Sequence, residues 1–377
     1  GVNIKEENKK ILIEGKGLNS LKKPIKEIYL GNSGTSARLL TGLLSSQNFD
    51  SILTGDSSLS SRPMKRISDP LSKMNANIIT NDGKMPLRIR GKDLISTEID
   101  IKIPSAQIKS GLMLAALNTK GVTRIKARKS RNHTELLFKH LNLPIKINKK
   151  KKFDYINITG VEKIKPINYK IPSDISSSAF FIVLTALSKN SELKIKNVNV
   201  NPSRIGILEI LKMMGVKIKI KNIKIYKGEK IADLFIKSVK LLKPINCPTK
   251  LNSSAIDEFL LIFLLAAKAK GISTFKNLAE LNQKESPRLI WGSRILNKMG
   301  IKTILKKDSL KIYGDPNLEI NNDIKIDKYL KDHRVFMSCV IAALTFGGKW
   351  KISDKDSIKT SFPTFLEKIR SLGADIR

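Results

Sequence analysis

The sequence predicts an α/β protein of two lobes, each assembled from copies of one repeated unit. Three observations predict it. A closing phrase recurs as LSKMNANIIT at 71, LFKHLNLPIKI at 137, LKMMGVKIKI at 211, LNKMGIKTIL at 296 and SLGADIR at 371. An opening phrase recurs as NSGTSARLLTGLL, SAQIKSGLMLAAL, SDISSSAFFIVLTAL, SAIDEFLLIFLLAA and DHRVFMSCVIAAL. The two alternate at a period of roughly 70–80 residues, longer than solenoid units but open to the same inference from self-similarity.

Each opening phrase runs from a polar stretch into small and apolar residues. Ser, Thr, Asp or Asn supplies the N-cap, and a helix apolar on most faces has to be buried. Each closing phrase reads as the end of an amphipathic helix, a Gly or Asn at its C-terminal cap, then an alternating strand. Between the two lie a Gly-marked turn, a strand and an irregular loop. Five units open at about residues 27, 101, 169, 244 and 325. A unit of this kind cannot bury its faces alone, so neighbours must pack together. The start, Gly1-Val2-Asn3-Ile4, matches Gly215-Val216-Lys217-Ile218 and Gly300-Ile301-Lys302-Thr303. It reads as the end of a sixth unit whose opening lies upstream. Six units suggest two lobes of three, with the boundary between 1–170 and 171–377.

Composition narrows the function. At 377 residues and 41% hydrophobic, the chain is long and apolar enough for two buried cores. No apolar run approaches the ~20 residues of a membrane span, and the opening GVNIKEENKK is no signal peptide. Cys247 and Cys339 have no metal-ligand spacing and suggest no disulfide framework, so both read as small core residues of a reduced, cytoplasmic protein. The net charge of +37 invites nucleic acid. Yet the lysines are spread over nearly every segment, and no Arg-rich arm or aromatic stripe accompanies them. A bias toward Lys, Ile and Asn explains the charge, which would still draw in small anions at low salt.

Candidate chemistry sits at the unit openings and in the loops. Gly31-Asn32-Ser33-Gly34-Thr35 places two glycines at a helix start, where free N–H groups and the dipole favour anions; a plain helix cap would look the same. It is not a Walker A loop, which ends Gly-Lys-Ser/Thr. Arg62, Arg131, Arg288 and Arg334 punctuate polar loops, and Arg is the residue for fork-like binding of phosphate or carboxylate. Their recurrence at equivalent loop ends points to convergence on one cleft. Asp257, at the mouth of the most apolar helix, is either a helix-terminal charge or a catalytic base. Glu285, between Lys284 and Arg288, is either an ion-pair member or a proton carrier. The three histidines form no metal pattern.

The phrases LGNSGTSARLL, GDSSLSSRPM, SAQIKSGLMLAALNTKG, SRNHTE, SSAIDEFLLIFLLAA, QKESPRL, KDHRVFM and TSFPTF, in this order, resemble the EPSP synthase (3-phosphoshikimate 1-carboxyvinyltransferase) family over essentially the whole chain. The resemblance implies a two-domain inside-out α/β barrel of β-α-β-α-β-β units, three per domain. It implies transfer of the enolpyruvyl group of phosphoenolpyruvate to the 5-hydroxyl of shikimate 3-phosphate, with release of phosphate and no metal or organic cofactor. By motif, Gly34, Arg62, Gln107, Arg288 and Arg334 would hold phosphoenolpyruvate. Ser105, Ala106, Gln107 and Arg131, with Asp257 and Lys284, would hold shikimate 3-phosphate. Asp257 would accept the hydroxyl proton, Glu285 would move the proton at the methylene carbon, and Lys284 would lie between the ligands. A cytoplasmic monomer, binding neither nucleic acid nor membrane, completes the expectation.

Three departures from the family pattern stand out. The N-terminal Lys-Ser motif and its downstream Arg have no counterpart, so the chain as it begins at Gly1 is expected to be inactive or nearly so. Pro287 stands where the family usually has Asp, which removes a carboxylate able to orient Arg288. Thr360 occupies the place of a late lysine found in part of the family. The rival readings are a UDP-N-acetylglucosamine enolpyruvyl transferase, whose reactive Cys would stand where this chain has Arg62, a degenerate homologue that only binds ligand, and a basic nucleic-acid-binding protein.

Overall fold

Five chain reversals share one geometry in the structure, a computed structural model that describes residues 1–8 and 10–376. Asn75, Asn142, Gly215, Gly300 and Gly373 all have positive φ, between 54° and 94°. The residue after each donates its N–H back across the helix end: Ala76 to Leu71, Leu143 to Phe138, Val216 to Leu211, Ile301 to Leu296 and Ala374 to Ile369. This is the Schellman closure, in which a left-handed residue lets orphan carbonyls of the last turn find donors. The recurring phrase in the sequence is that closure, with Asn standing in for Gly in the first two copies.

The chain divides into two compact units, Gly1–Lys170 and Ile171–Arg377. The first contains helices α1 (Gly34–Ser45), α2 (Ser57–Ser60), α3 (Lys65–Ser72), α4 (Ala106–Leu117) and α5 (His133–His140). Its two four-stranded sheets repeat one topology. In the first, Ile28–Tyr29 runs parallel to Asp50–Thr54, which pairs antiparallel with Lys84–Arg90, which pairs antiparallel with Asn77–Asn81. In the second the same places are taken by Glu98–Ile101, Val122–Arg128, Phe153–Thr159 and Ile145–Lys149. The lysine-dense run Lys146 to Lys152 lies partly in this last strand, because Ile145 and Ile147 pair with Ile158 and Ile156.

The second unit contains α6 (Ile175–Leu187), α7 (Gly206–Met213), α8 (Phe259–Ala267), α9 (Arg288–Lys298), α10 (His333–Phe346) and α11 (Phe365–Ser371). In two of its repeats the leading parallel strand is reduced to isolated bridges, Ser173 with Val198 in one and Leu242 with Ala269 and Asn246 with Thr274 in the other. Every residue of α8 is buried, as a helix apolar all round requires, and α6 and α10 pack against it. Cys247 and Cys339 are buried thiols, and burial pushes Cys247 up to about 11. No helix among the described residues is long and apolar enough to cross a membrane.

In the first unit α1 and α4 meet at two glycines. A Cβ on Gly42 would run into the carbonyl group of Gly111, and one on Gly111 would lie 2.6 Å from the carbonyl oxygen of Arg38. Backbone atoms cannot step aside as a flexible side chain can. Gly111→Val is therefore expected to destabilise the protein by about 1–3 kcal/mol or more, read as a lower midpoint in urea unfolding; an unchanged midpoint would show that the crossing has slack.

Candidate active site

In the first unit the opening of α1 gathers charge. Ser33 caps the helix, its hydroxyl accepting the N–H of Ser36 at 3.2 Å. Gly34 follows, and a Cβ there would come within 2.7 Å of Nη1 of Arg38 and 3.0 Å of Nη1 of Arg62. Arg38 and Arg62 are buried apart from 8% and 9% of their surfaces, so this glycine leaves room for two guanidinium groups. Nη1 of Arg38 donates to the Gly34 carbonyl (3.1 Å) and to Oε1 of Gln107 (2.7 Å), and Nε2 of Gln107 donates to Thr35 Oγ1 (2.8 Å). Arg62 Nη2 donates to Ser58 Oγ at 3.2 Å. The expected residues Gly34, Arg62 and Gln107 are thus brought together, and Arg38, which the sequence reading passed over, joins them.

Ser105 caps α4 by accepting the N–H of Ile108 at 3.4 Å, and Ala106 and Gln107 are the first residues of that helix. Arg131 lies just before α5. Two contacts tie α5 to α4: Ser110 to Thr134 at 2.6 Å, and a buried ion pair from Lys109 Nζ to Glu135 Oε1 at 2.5 Å.

In the second unit Asp257 is the hub. Its Oδ1 lies 3.1 Å from Lys284 Nζ and 3.5 Å from Arg288 Nη1, and its Oδ2 lies 3.3 Å from Arg204 Nη1. Its carbonyl accepts Nη1 of Arg334 at 3.0 Å. Arg288, the first residue of α9, also contacts Glu285 through Nη2. Asp257, Lys284, Glu285, Arg288 and Arg334 therefore form one cluster. Arg288 and Arg334 stand in the first turns of α9 and α10 rather than in loops.

Asp332 organises both arginines. Its buried carboxylate accepts Nε of Arg288 (2.8 Å), Nη2 of Arg288 (3.2 Å), the hydroxyl of Ser286 (2.8 Å) and, as the cap of α10, the N–H of Arg334 (2.9 Å). Burial raises its pKa, but the Arg288 charge and hydrogen bonds outweigh that and hold it down to about 2. Burial likewise works against the Arg288 charge, and Asp332 and Glu285 more than offset it, raising its affinity for the proton. Pro287 removes one carboxylate that could have oriented Arg288, but Arg288 keeps others. Pro287 occupies the cap position of α9, and the orienting carboxylates come from Asp332, 44 residues on, and from Glu285. His333 is driven down to about 4 by burial and then by the neighbouring Arg334 charge, so it is a neutral imidazole at neutral pH.

The start of α8 also differs from expectation. The helix begins at Phe259, its cap position is Glu258, and no side chain makes a cap bond. Asp257 does not cap it because three cations hold its carboxylate instead. Arg204, Asp332, Glu258 and Ser176 carry no signal of their partners in the sequence, because Arg204 meets Asp257, Ser176 meets Glu258 and Asp332 meets Arg288 only across 44 to 82 residues of chain.

Similarity to known proteins agrees with this arrangement. A sequence model of EPSP synthase (3-phosphoshikimate 1-carboxyvinyltransferase) matches residues 1–369. A 3-phosphoshikimate 1-carboxyvinyltransferase of Ruthia magnifica subsp. Calyptogena magnifica is 41% identical over 378 residues, covering 100% of this chain and 85% of the relative. The corresponding protein of Petrotoga mobilis is 40% identical over 381 residues, covering 99% of this chain and 86% of its own length. Among solved structures, an EPSP synthase of Acinetobacter baumannii superposes with a TM-score of 0.84 at 38% identity, covering 98% of this chain and 84% of that one. The enolpyruvyl transferase NikO of Streptomyces tendae, at 19% identity over 90% of this chain and 76% of its own, shares the fold with a TM-score of 0.69. With a match running almost from end to end and the mixed α/β architecture in common, the chain belongs to the EPSP synthase family.

Proposed function

We propose that this chain transfers the enolpyruvyl group of phosphoenolpyruvate to the 5-hydroxyl of shikimate 3-phosphate and releases phosphate. The observation that carries this reading is the cluster around Asp257, where one carboxylate is held among Lys284, Arg288 and Arg204. Both substrates are anions, and cations gathered in advance offset their charge.

Asp257 takes the proton of the attacking hydroxyl as its oxygen bonds to C2 of the enolpyruvate. Glu285 adds a proton to the methylene carbon and later removes one, while phosphate departs with the electrons of its C–O bond. Arg288 and Arg334 in the second unit, and Gly34, Arg62 and Gln107 in the first, serve phosphoenolpyruvate. Ser105, Ala106, Gln107 and Arg131 serve shikimate 3-phosphate, with Lys284 and Asp257 beside it. On this reading the chain acts as a cytoplasmic monomer on small molecules, without metal or organic cofactor and without nucleic acid or membrane as partner. The rival UDP-sugar reaction is disfavoured because Arg62 holds the place of its cysteine, and Cys247 and Cys339 are both buried.

The test is phosphate release from the chain given both substrates, together with its melting temperature in shikimate 3-phosphate alone. Release that depends on both substrates, and a rise in melting temperature with the first ligand, support the reading. Release with UDP-N-acetylglucosamine in place of shikimate 3-phosphate, or steep salt-dependent DNA binding with no ligand stabilisation, would overturn it.

A further inference from the structure

One buried carboxylate has no part in the chemistry above. Glu258 is fully buried, directly after Asp257, at the cap position of α8. Its carboxylate caps nothing. It turns instead to a different helix, where Ser176 in the first turn of α6 donates its hydroxyl proton to Oε1. That donation fixes which way the hydroxyl points. The oxygen of Ser176 is then left to accept Nη2 of Arg204, whose Nη1 lies 3.3 Å from Oδ2 of Asp257. The order of donation runs one way, from Arg204 to Ser176 to Glu258. Arg204 is almost buried, with 9% of its side chain exposed, so few other acceptors compete for its remaining donors. Asp174 Oδ1 takes one at 3.4 Å from Nη2. Glu258 also lies 4.0 Å from Nη1 of Arg334, which donates to the carbonyl of Asp257.

Burying a carboxylate costs several kcal/mol unless charge and hydrogen bonds compensate it. A merely structural core position next to Phe259 would be served by an apolar residue. Here the charge polarises a relay that ends on the residue assigned to take the hydroxyl proton, and chains of such bonds reinforce one another at low dielectric.

We propose that Glu258, acting through Ser176 and Arg204, is a positioning residue that fixes the direction of the Asp257 carboxylate. This rests on the proton-accepting role of Asp257, but the geometric half stands without it. Oδ2 is the oxygen that Arg204 occupies, so Oδ1 is the one presented toward Lys284 and Arg288. Losing the relay frees the carboxylate to rotate, and a misplacement on the order of 1 Å costs up to ~100-fold in rate.

The test uses Ser176→Ala, Glu258→Leu and Glu258→Gln in the full chain. Ser176→Ala and Glu258→Leu are expected to lower kcat about 10- to 100-fold, with KM for phosphoenolpyruvate changed little and a melting curve that stays cooperative. Glu258→Gln keeps an acceptor for the Ser176 hydroxyl and should restore most of the kcat lost in Glu258→Leu. Equal kcat in Ser176→Ala and the unaltered chain overturns the proposal, as does a loss carried wholly by KM. Crystal structures of the unaltered chain and Ser176→Ala give a reading independent of turnover. Departure of Arg204 from Oδ2 of Asp257 by more than about 0.5 Å, the tolerance for a working site, supports the relay; an unmoved Arg204 sinks it. Absence of both phosphate release and any rise in melting temperature with shikimate 3-phosphate in the unaltered chain would instead remove the functional reading and leave the relay to be judged on those structures.

Discussion

Asp257→Asn is expected to lower kcat by about 10²- to 10⁴-fold, the usual worth of a positioned general base. The amide keeps the shape of the carboxylate but cannot accept the hydroxyl proton. Its effect should fall on turnover more than on KM, because Lys284, Arg288 and Arg334 remain to hold the anionic ligands. The charge balance of the site also changes. Three cations lie within 3.5 Å of the Asp257 oxygens, and removing the negative charge leaves them facing one another. The folded protein should therefore be less stable without ligand and recover when an anion fills the site, which a melting series in shikimate 3-phosphate would register. Near-normal phosphate release by Asp257→Asn would move the base elsewhere.

Arg288→Met is expected to cost about 3–5 kcal/mol of folding stability, as removal of one partner from a buried ion pair does. Asp332 would be left with its charge buried and only Ser286 and the Arg334 N–H to satisfy it. Urea unfolding at neutral pH measures the loss, and a change below ~1 kcal/mol would show that the pair is not what holds this corner. The pair has a pH signature of the opposite sign to its removal. In the folded protein Asp332 is held down to about 2, below the 3.8 of an unperturbed aspartate. A depressed carboxylate contributes stability that is complete above the higher value and is lost as pH falls toward the lower. The unaltered chain should thus lose stability from this group as pH falls from about 4 toward 2. In Arg288→Met the dependence should invert, since burial without the arginine favours the protonated acid.

Much of the fold was open to reading because it is written in short-range signals. Asn75, Asn142, Gly215, Gly300 and Gly373 mark helix ends through a backbone preference that depends on one residue. Ser33, Ser105, Asp174 and Asp332 cap the helices where small polar residues precede apolar runs. The start of α8 broke that rule, since Asp257 is engaged by cations brought in from residues 204, 284 and 288. The site divides in the same way. Arg62, Gln107, Lys284, Glu285, Arg288 and Arg334 lie within compact phrases and could be picked out one at a time. Arg38 and Arg204 could not, because a single arginine in a helix or a turn reads as a solvated surface group until its partners at Gln107 or Asp257 are known. Asp332 was visible beside Arg334, but its hold on Arg288 spans 44 residues and exists only after folding. Pro287 shows the converse: a local gap in the sequence was filled from a distance.

The left-handed corners that close each helix do more than reverse the chain. The first four reset the direction in which the next strand departs, so an error of length inside one copy is absorbed before the following copy begins. These four corners work like joints, keeping phase from helix to strand while the stretches between them drift in composition. Exchanging segments between related chains would keep the architecture best when the seams fall just beyond these joints.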